Sequence, residues 1–74
     1  MKVEVKLFAY FRENRFTKEI QDYPENTMVK KIIEDLGINL DEIGVTMING
    51  RHCQLDTELQ ENDSLGIFPM IGGG

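Results

Sequence analysis

Val29, Ile32, Ile33 and Leu36 fall at i, i+3, i+4 and i+7, a single apolar helical stripe, while Lys30, Lys31, Glu34 and Asp35 occupy the opposite face. Around that segment the apolar pattern has a different period. Met1, Val3, Val5, Leu7 and Ala9 alternate with Lys2, Glu4, Lys6 and Phe8, which predicts a half-buried strand. In a chain of 74 residues there is room for one core, so the helix has to plug a sheet. Burying its four apolar side chains contributes on the order of 6–10 kcal/mol before chain entropy is subtracted. Asn26 or Thr27, after Pro24-Glu25, is placed to cap the helix, and Gly37 to stop it.

The remaining elements follow from turn chemistry. Phe16–Tyr23 reads as a second strand, but Lys18 shares a face with Phe16 and Ile20, which predicts a short or twisted edge strand. Val45–Ile48, the hairpin signal Asn49-Gly50 and a return strand over Arg51–Leu55 come next. A helical turn is expected near Thr57-Glu58-Leu59, a turn at Asn62-Asp63, and a last strand over Ser64–Phe68. Two strands, a helix and then more strands give an α+β domain with one main helix across a mixed sheet of four to five strands.

The chain then runs through apolar Phe68-Pro69-Met70-Ile71 into Gly72-Gly73-Gly74. Glycine has no side chain, so such a segment fits a channel too narrow for other residues and leaves the terminal carboxylate open to attack or activation. The plain alternatives are a frayed terminus or a cloning scar. The expected boundaries are a domain over 1–71 and a flexible tail over 72–74.

Other chemistry is sparse. A formal net charge of -5, from 13 acidic and 8 basic residues, excludes nucleic acid as the natural partner and favours positively charged partner surfaces. No apolar run approaches membrane-spanning length, so no membrane partner is expected. Cys53 is the one cysteine, which rules out an internal disulfide and, with no signal-peptide pattern, predicts a cytoplasmic protein. His52 and Cys53 are adjacent and point to opposite faces of a strand, so they make neither a metal site nor a nucleophilic pair. Asp56, Glu58, Glu61 and Asp63 read as a solvated loop, and Phe8, Tyr10 and Phe11 as core or partner-facing residues. No phosphate-cradling glycine loop is present. The expectation is a substrate or carrier, not a catalyst.

The order of these pieces resembles the ubiquitin-like sulfur carriers of the MoaD/ThiS family over essentially the whole chain. The likeness is carried by Leu7-Phe8-Ala9-Tyr10-Phe11-Arg12-Glu13, the Thr27-led helix, Val45-Thr46-Met47-Ile48-Asn49-Gly50, Leu55-Asp56-Thr57-Glu58-Leu59, and Phe68-Pro69 ahead of the glycines. It implies the β-grasp fold, with first and last strands parallel neighbours. The end of the chain looks most like the small subunit of molybdopterin synthase, whose usual Phe-Pro-Pro-aliphatic-small-Gly-Gly is matched by Phe68, Pro69, Ile71, Gly72, Gly73 and Gly74. Met70 replaces the second proline, and Glu61-Asn62-Asp63 replaces the more usual Gly-Asp turn.

What the resemblance implies is specific. An E1-like adenylating enzyme, using ATP that the chain itself does not bind, activates the Gly74 carboxylate. A persulfide donor then supplies sulfur to leave a thiocarboxylate on Gly74. Gly72 and Gly73 thread a partner's active site, and Phe68, Pro69, Met70 and Ile71 meet the partner, here the molybdopterin synthase large subunit. No cofactor, metal or catalytic residue belongs to the chain. The alternatives within reach of the same carboxylate are sulfur supply for thiamine or another pathway, and conjugation to lysines as a protein modifier.

Overall fold

The computed structural model describes residues 1–70. Ile71, Gly72, Gly73 and Gly74 lie outside the described residues, and with them the expected boundary between domain and tail. Strand β1 spans Lys2–Leu7, β2 Lys18–Asp22, helix α1 Val29–Asp35, β3 Ile43–Ile48, β4 Arg51–His52 and β5 Ser64–Pro69. The strands form one five-stranded mixed sheet in the order β2-β1-β5-β3-β4. The first and last strands lie side by side and parallel, with Val5 opposite Leu65 and Leu7 opposite Ile67, while the other pairings are antiparallel. This is the β-grasp arrangement.

The two sequence periods converge on one core. Val3, Val5 and Leu7 of β1, Val29, Ile32 and Ile33 of α1, and Leu65 and Ile67 of β5 are fully buried in a single cluster completed by Phe11, Ile38 and Leu59. Leu36, the fourth residue of the stripe, is half-buried and ends the helix ahead of Gly37, whose φ of +75° only glycine adopts freely. β2 is indeed an edge strand, and Ile20 on it points outward and is 65% exposed.

Four expectations are corrected. The alternation of β1 stops at Leu7, because Ala9 takes a φ of 53° and opens a 3-10 turn over Ala9–Arg12. That turn carries Phe11 into the core at 1% exposure. The helix cap is neither Asn26 nor Thr27: Met28 holds the cap position, and Thr27 Oγ1 instead donates to the Pro24 carbonyl at 2.7 Å. The free N–H groups of the first turn are met from elsewhere, Val29 N donating to Thr57 O at 3.0 Å and Lys30 N to Leu55 O at 2.8 Å.

The same contacts explain the third correction. The segment after β4 has no helical turn; it makes a hydrogen-bonded turn from Gln54 to Thr57 and then bridges Glu58 to Met28, so its carbonyls serve the helix. Finally, the return strand closes after His52 instead of reaching Leu55, since that segment is drawn off to the helix end. A 3-10 turn over Leu40–Glu42, unforeseen in the sequence, leads into β3.

At the hairpin, Asn49 and Gly50 both have positive φ, 53° and 81°, as a type I′ turn requires. A Cβ on Gly50 would meet nothing within 4 Å, so only backbone strain opposes substitution. Gly50→Ala is therefore expected to cost about 1 kcal/mol, a fall of roughly 5 °C in a thermal melt.

Candidate functional site

The outer face of the sheet, away from the helix, carries Lys6 and Glu4 of β1, Ser64, Gly66 and Phe68 of β5, and Met47 of β3 by the period-two alternation of their strands. Phe8, just past β1, and Phe68 stack face to face here, with centroids 4.0 Å apart and planes 6° from parallel. Gly66 makes the stack possible. It is buried beneath the rings, and a Cβ there would touch Phe8 and Phe68 at 3.4 Å each. Arg12 closes the end of the stack, its guanidinium carbon 5.3 Å from the Phe8 centroid while its Nε donates to the Leu7 carbonyl at 2.6 Å. Both rings stay half-exposed, and together with Met47 and Lys6 they line a shallow depression. The result is a rigid apolar plate rimmed by cations.

β5 carries this plate to the end of the described chain. Phe68 lies opposite Val45 and Pro69 opposite Ile43, with the register slipping between Ile43 and Val45. Pro69 is buried, and its missing N–H falls on the β1 side, beyond the last ladder bond from Phe8 N to Ile67 O. Met70 follows at 66% exposure, its N–H donating to the Glu42 carbonyl at 2.8 Å. A proline at 70 could not make that bond. The Tyr10 hydroxyl donates to the Glu42 carboxylate at 3.3 Å, and partial desolvation together with that carboxylate holds the phenol above its ordinary pKa. Tyr10 therefore stays a donor across the neutral range.

Of the residues singled out in the sequence, the fold thus brings Phe68, Pro69 and Met70 together beside Phe8; Ile71, Gly72, Gly73 and Gly74 lie outside the described residues. His52 is exposed, whereas Cys53 is half-buried against the core and hydrogen-bonded to Thr46, its Sγ 3.4 Å from Oγ1. The acidic residues divide into two kinds. Asp63 accepts from Asn49 Nδ2 at 3.0 Å and from Gln60 N at 2.8 Å, and Glu61 from Lys2 N at 3.2 Å, so these two fasten turns to strands. Asp56 and Glu58 face solvent. Asn62 takes a φ of 70°, supplying without glycine the left-handed residue that this turn needs. Among the described residues no group of His, Cys, Asp and Glu could hold a metal ion, and no helix is long and apolar enough to cross a membrane.

The pairing of Phe8 with Phe68 was not legible in the sequence, nor were Gly66 beneath it and Gly44 beside Pro69. The signal was present in the parallel register of β1 and β5, which brings the two aromatic residues to the same end of the sheet.

Comparison with known proteins agrees with this geometry. A proposed subunit 1 of molybdopterin converting factor from Pyrococcus furiosus is similar in structure, with a TM-score of 0.77, 29% identity, and 96% of this chain and 99% of that one covered. The small archaeal modifier protein 1 of H. volcanii superposes with a TM-score of 0.75 at 22% identity, over 95% and 98% of the two chains. So does a chain from the complex of subunits 1 and 2 of molybdopterin-converting factor from Helicobacter pylori, with a TM-score of 0.68, 22% identity and all of both chains covered. The latter two show the shared fold. No curated protein matches the sequence. The ThiS family profile matches residues 5–74, from the first buried strand through the glycines, and the chain belongs to that family of ubiquitin-like carriers and modifiers.

Proposed function

We propose that this chain is a sulfur carrier, loaded at the carboxylate of Gly74 and itself without catalytic groups. The observation that carries the reading is the path of β5. The strand leaves the middle of the sheet beside a half-exposed aromatic plate and is followed, after Met70 and Ile71, by the three glycines that end the matched family region.

A carboxylate is a poor acyl donor because its leaving group would be oxide. An E1-like enzyme overcomes this by joining the Gly74 carboxylate to AMP, with pyrophosphate leaving from ATP. The terminal sulfur of a persulfide attacks the mixed anhydride and AMP departs. A second thiol then cleaves the acyl disulfide, leaving a thiocarboxylate and a disulfide between the two thiols. The domain's part is recognition: the plate of Phe8, Phe68 and Met47 docks on the partner, with Met70 and Ile71 adding apolar contact and Gly72 and Gly73 passing through a narrow channel.

Molybdopterin synthesis is the pathway we favour, on the strength of Phe68-Pro69 and the P. furiosus relative. The H. pylori relative is solved with its subunit 2, and an equivalent large subunit would receive the sulfur here. Intact mass spectrometry of the protein from its own host, without reductant, tests the reading. Replacement of one oxygen by sulfur, localised to Gly74, is the expected result. A carboxylate that persists after addition of ATP, a sulfur donor and the host's adenylating enzyme would overturn it. Isopeptide adducts on lysines of other proteins, without thiocarboxylate, would move the chain to the modifiers.

A further inference from the structure

Gly44 stands where the register of β3 against β5 slips, opposite the last residues of β5. An ideal Cβ at this position would lie 2.7 Å from the Pro69 carbonyl oxygen and 2.9 Å from Met70 Cα. Both neighbours are backbone atoms, so no rotamer change makes room. Any side chain at 44 must push the end of β5 away from β3. The same two strands are joined just there by the hydrogen bond from Met70 N to the Glu42 carbonyl, 2.8 Å. Gly44 is itself exposed and lies outside the hydrophobic core, so the close approach serves the chain's exit more than the domain's packing. Bulges of this kind re-aim a strand.

From this we infer that Gly44 is a positioning residue. By letting Pro69 and Met70 lie against the β3 backbone, it sets the root and direction from which residues 71–74 depart, and so where the C-terminal carboxylate is delivered. The inference rests on the sulfur-carrier reading. Four residues reach at most ~14 Å, so a displacement of even ~1 Å at their root comes out of a fixed reach to the partner's active site. Misplacement on that scale is costly to a reaction that depends on orientation. A Cβ at 44 would meet only the backbone of Pro69 and Met70, not the rings of Phe8 and Phe68. Delivery and docking are therefore separable in kinetics.

The test uses the full-length chain with the host's adenylating enzyme, and reads hydrogen exchange at the Met70 amide together with the steady-state kinetics of adenylation. In the native chain the Met70 amide is expected to exchange at least tenfold more slowly than an unstructured amide. In Gly44→Ala that protection is lost, kcat falls at least tenfold, and KM for the carrier stays within about twofold. A synthetic chain with an ester in place of the Pro69–Met70 amide removes only the donor, touches no core residue, and is expected to lower kcat in the same direction. An unprotected Met70 amide in the native chain would overturn the clamp. Lost protection with unchanged kcat in Gly44→Ala, or an unchanged kcat in the ester chain, would overturn its role in delivery. A native chain that is not adenylated at all would instead overturn the carrier reading on which the inference stands.

Discussion

Removal of Gly74 is expected to abolish sulfur loading while leaving the melting temperature within about 1 °C of the native value. The two halves have different physical origins. Loading needs a carboxylate at a fixed distance from the docking plate; shortening the chain by one residue withdraws it by ~3.5 Å. No rearrangement of the domain can restore that reach. Stability comes, among the described residues, from the cluster of Val3, Val5, Leu7, Phe11, Val29, Ile32, Ile33, Ile38, Leu59, Leu65 and Ile67. A terminal glycine has no side chain to bury, so its loss is worth a few tenths of a kcal/mol at most, and in a domain of this size ~0.2 kcal/mol corresponds to roughly 1 °C. Thiocarboxylate formation followed by mass spectrometry, beside a thermal melt of the same sample, checks both. A marked fall in melting temperature would show that the end of the chain is part of the fold, and loading at an undiminished rate would show that Gly74 is not the acceptor.

The sequence was most readable where one period acts on one face. Val3, Val5 and Leu7 had to point one way, and Val29, Ile32 and Ile33 had to meet them; all six are fully buried. Asn49-Gly50 and Gly37 were equally plain because positive φ selects few residue types. The failures lie where a distant segment supplies what a local signal was expected to supply. Thr27 looked like a cap, yet the carbonyls of Leu55 and Thr57 serve the first turn, and that service is also why the segment after β4 is not helical. The candidate site shows the same division. Phe68 and Met70 could be singled out from their place before the glycines, but Phe8, Gly66 and Gly44 matter through pairings 25 to 60 residues away, which only the strand order β1-β5-β3 reveals.

That strand order is what makes Phe68 the most informative side chain to remove. Phe68→Ala takes away half of the stacked plate, and it leaves Phe8 with one face bare and Gly66 uncovered. The domain should lose about 1–2 kcal/mol, since the ring is half-buried and its stacking adds on the order of 0.5–1.5 kcal/mol to the area term. Most of the effect should fall on binding. A rigid aromatic anchor at the centre of an interface is worth about 2 kcal/mol or more, so affinity for the adenylating enzyme should fall by roughly 30-fold or more. Phe68→Leu, which keeps apolar area but not the stack, should fall between the two. Ile20→Ala gives the control: Ile20 is 65% exposed on the same outer face, but two strands from β5, and its loss should change affinity less than about twofold. Titration calorimetry with the adenylating enzyme, on variants first shown by melting to be folded, separates the outcomes. Equal losses from Ile20 and Phe68 would mean that the partner reads general hydrophobicity of the sheet. Undiminished binding by folded Phe68→Ala would remove the plate from the interface, and the partner would then have to recognise the helix side of the domain.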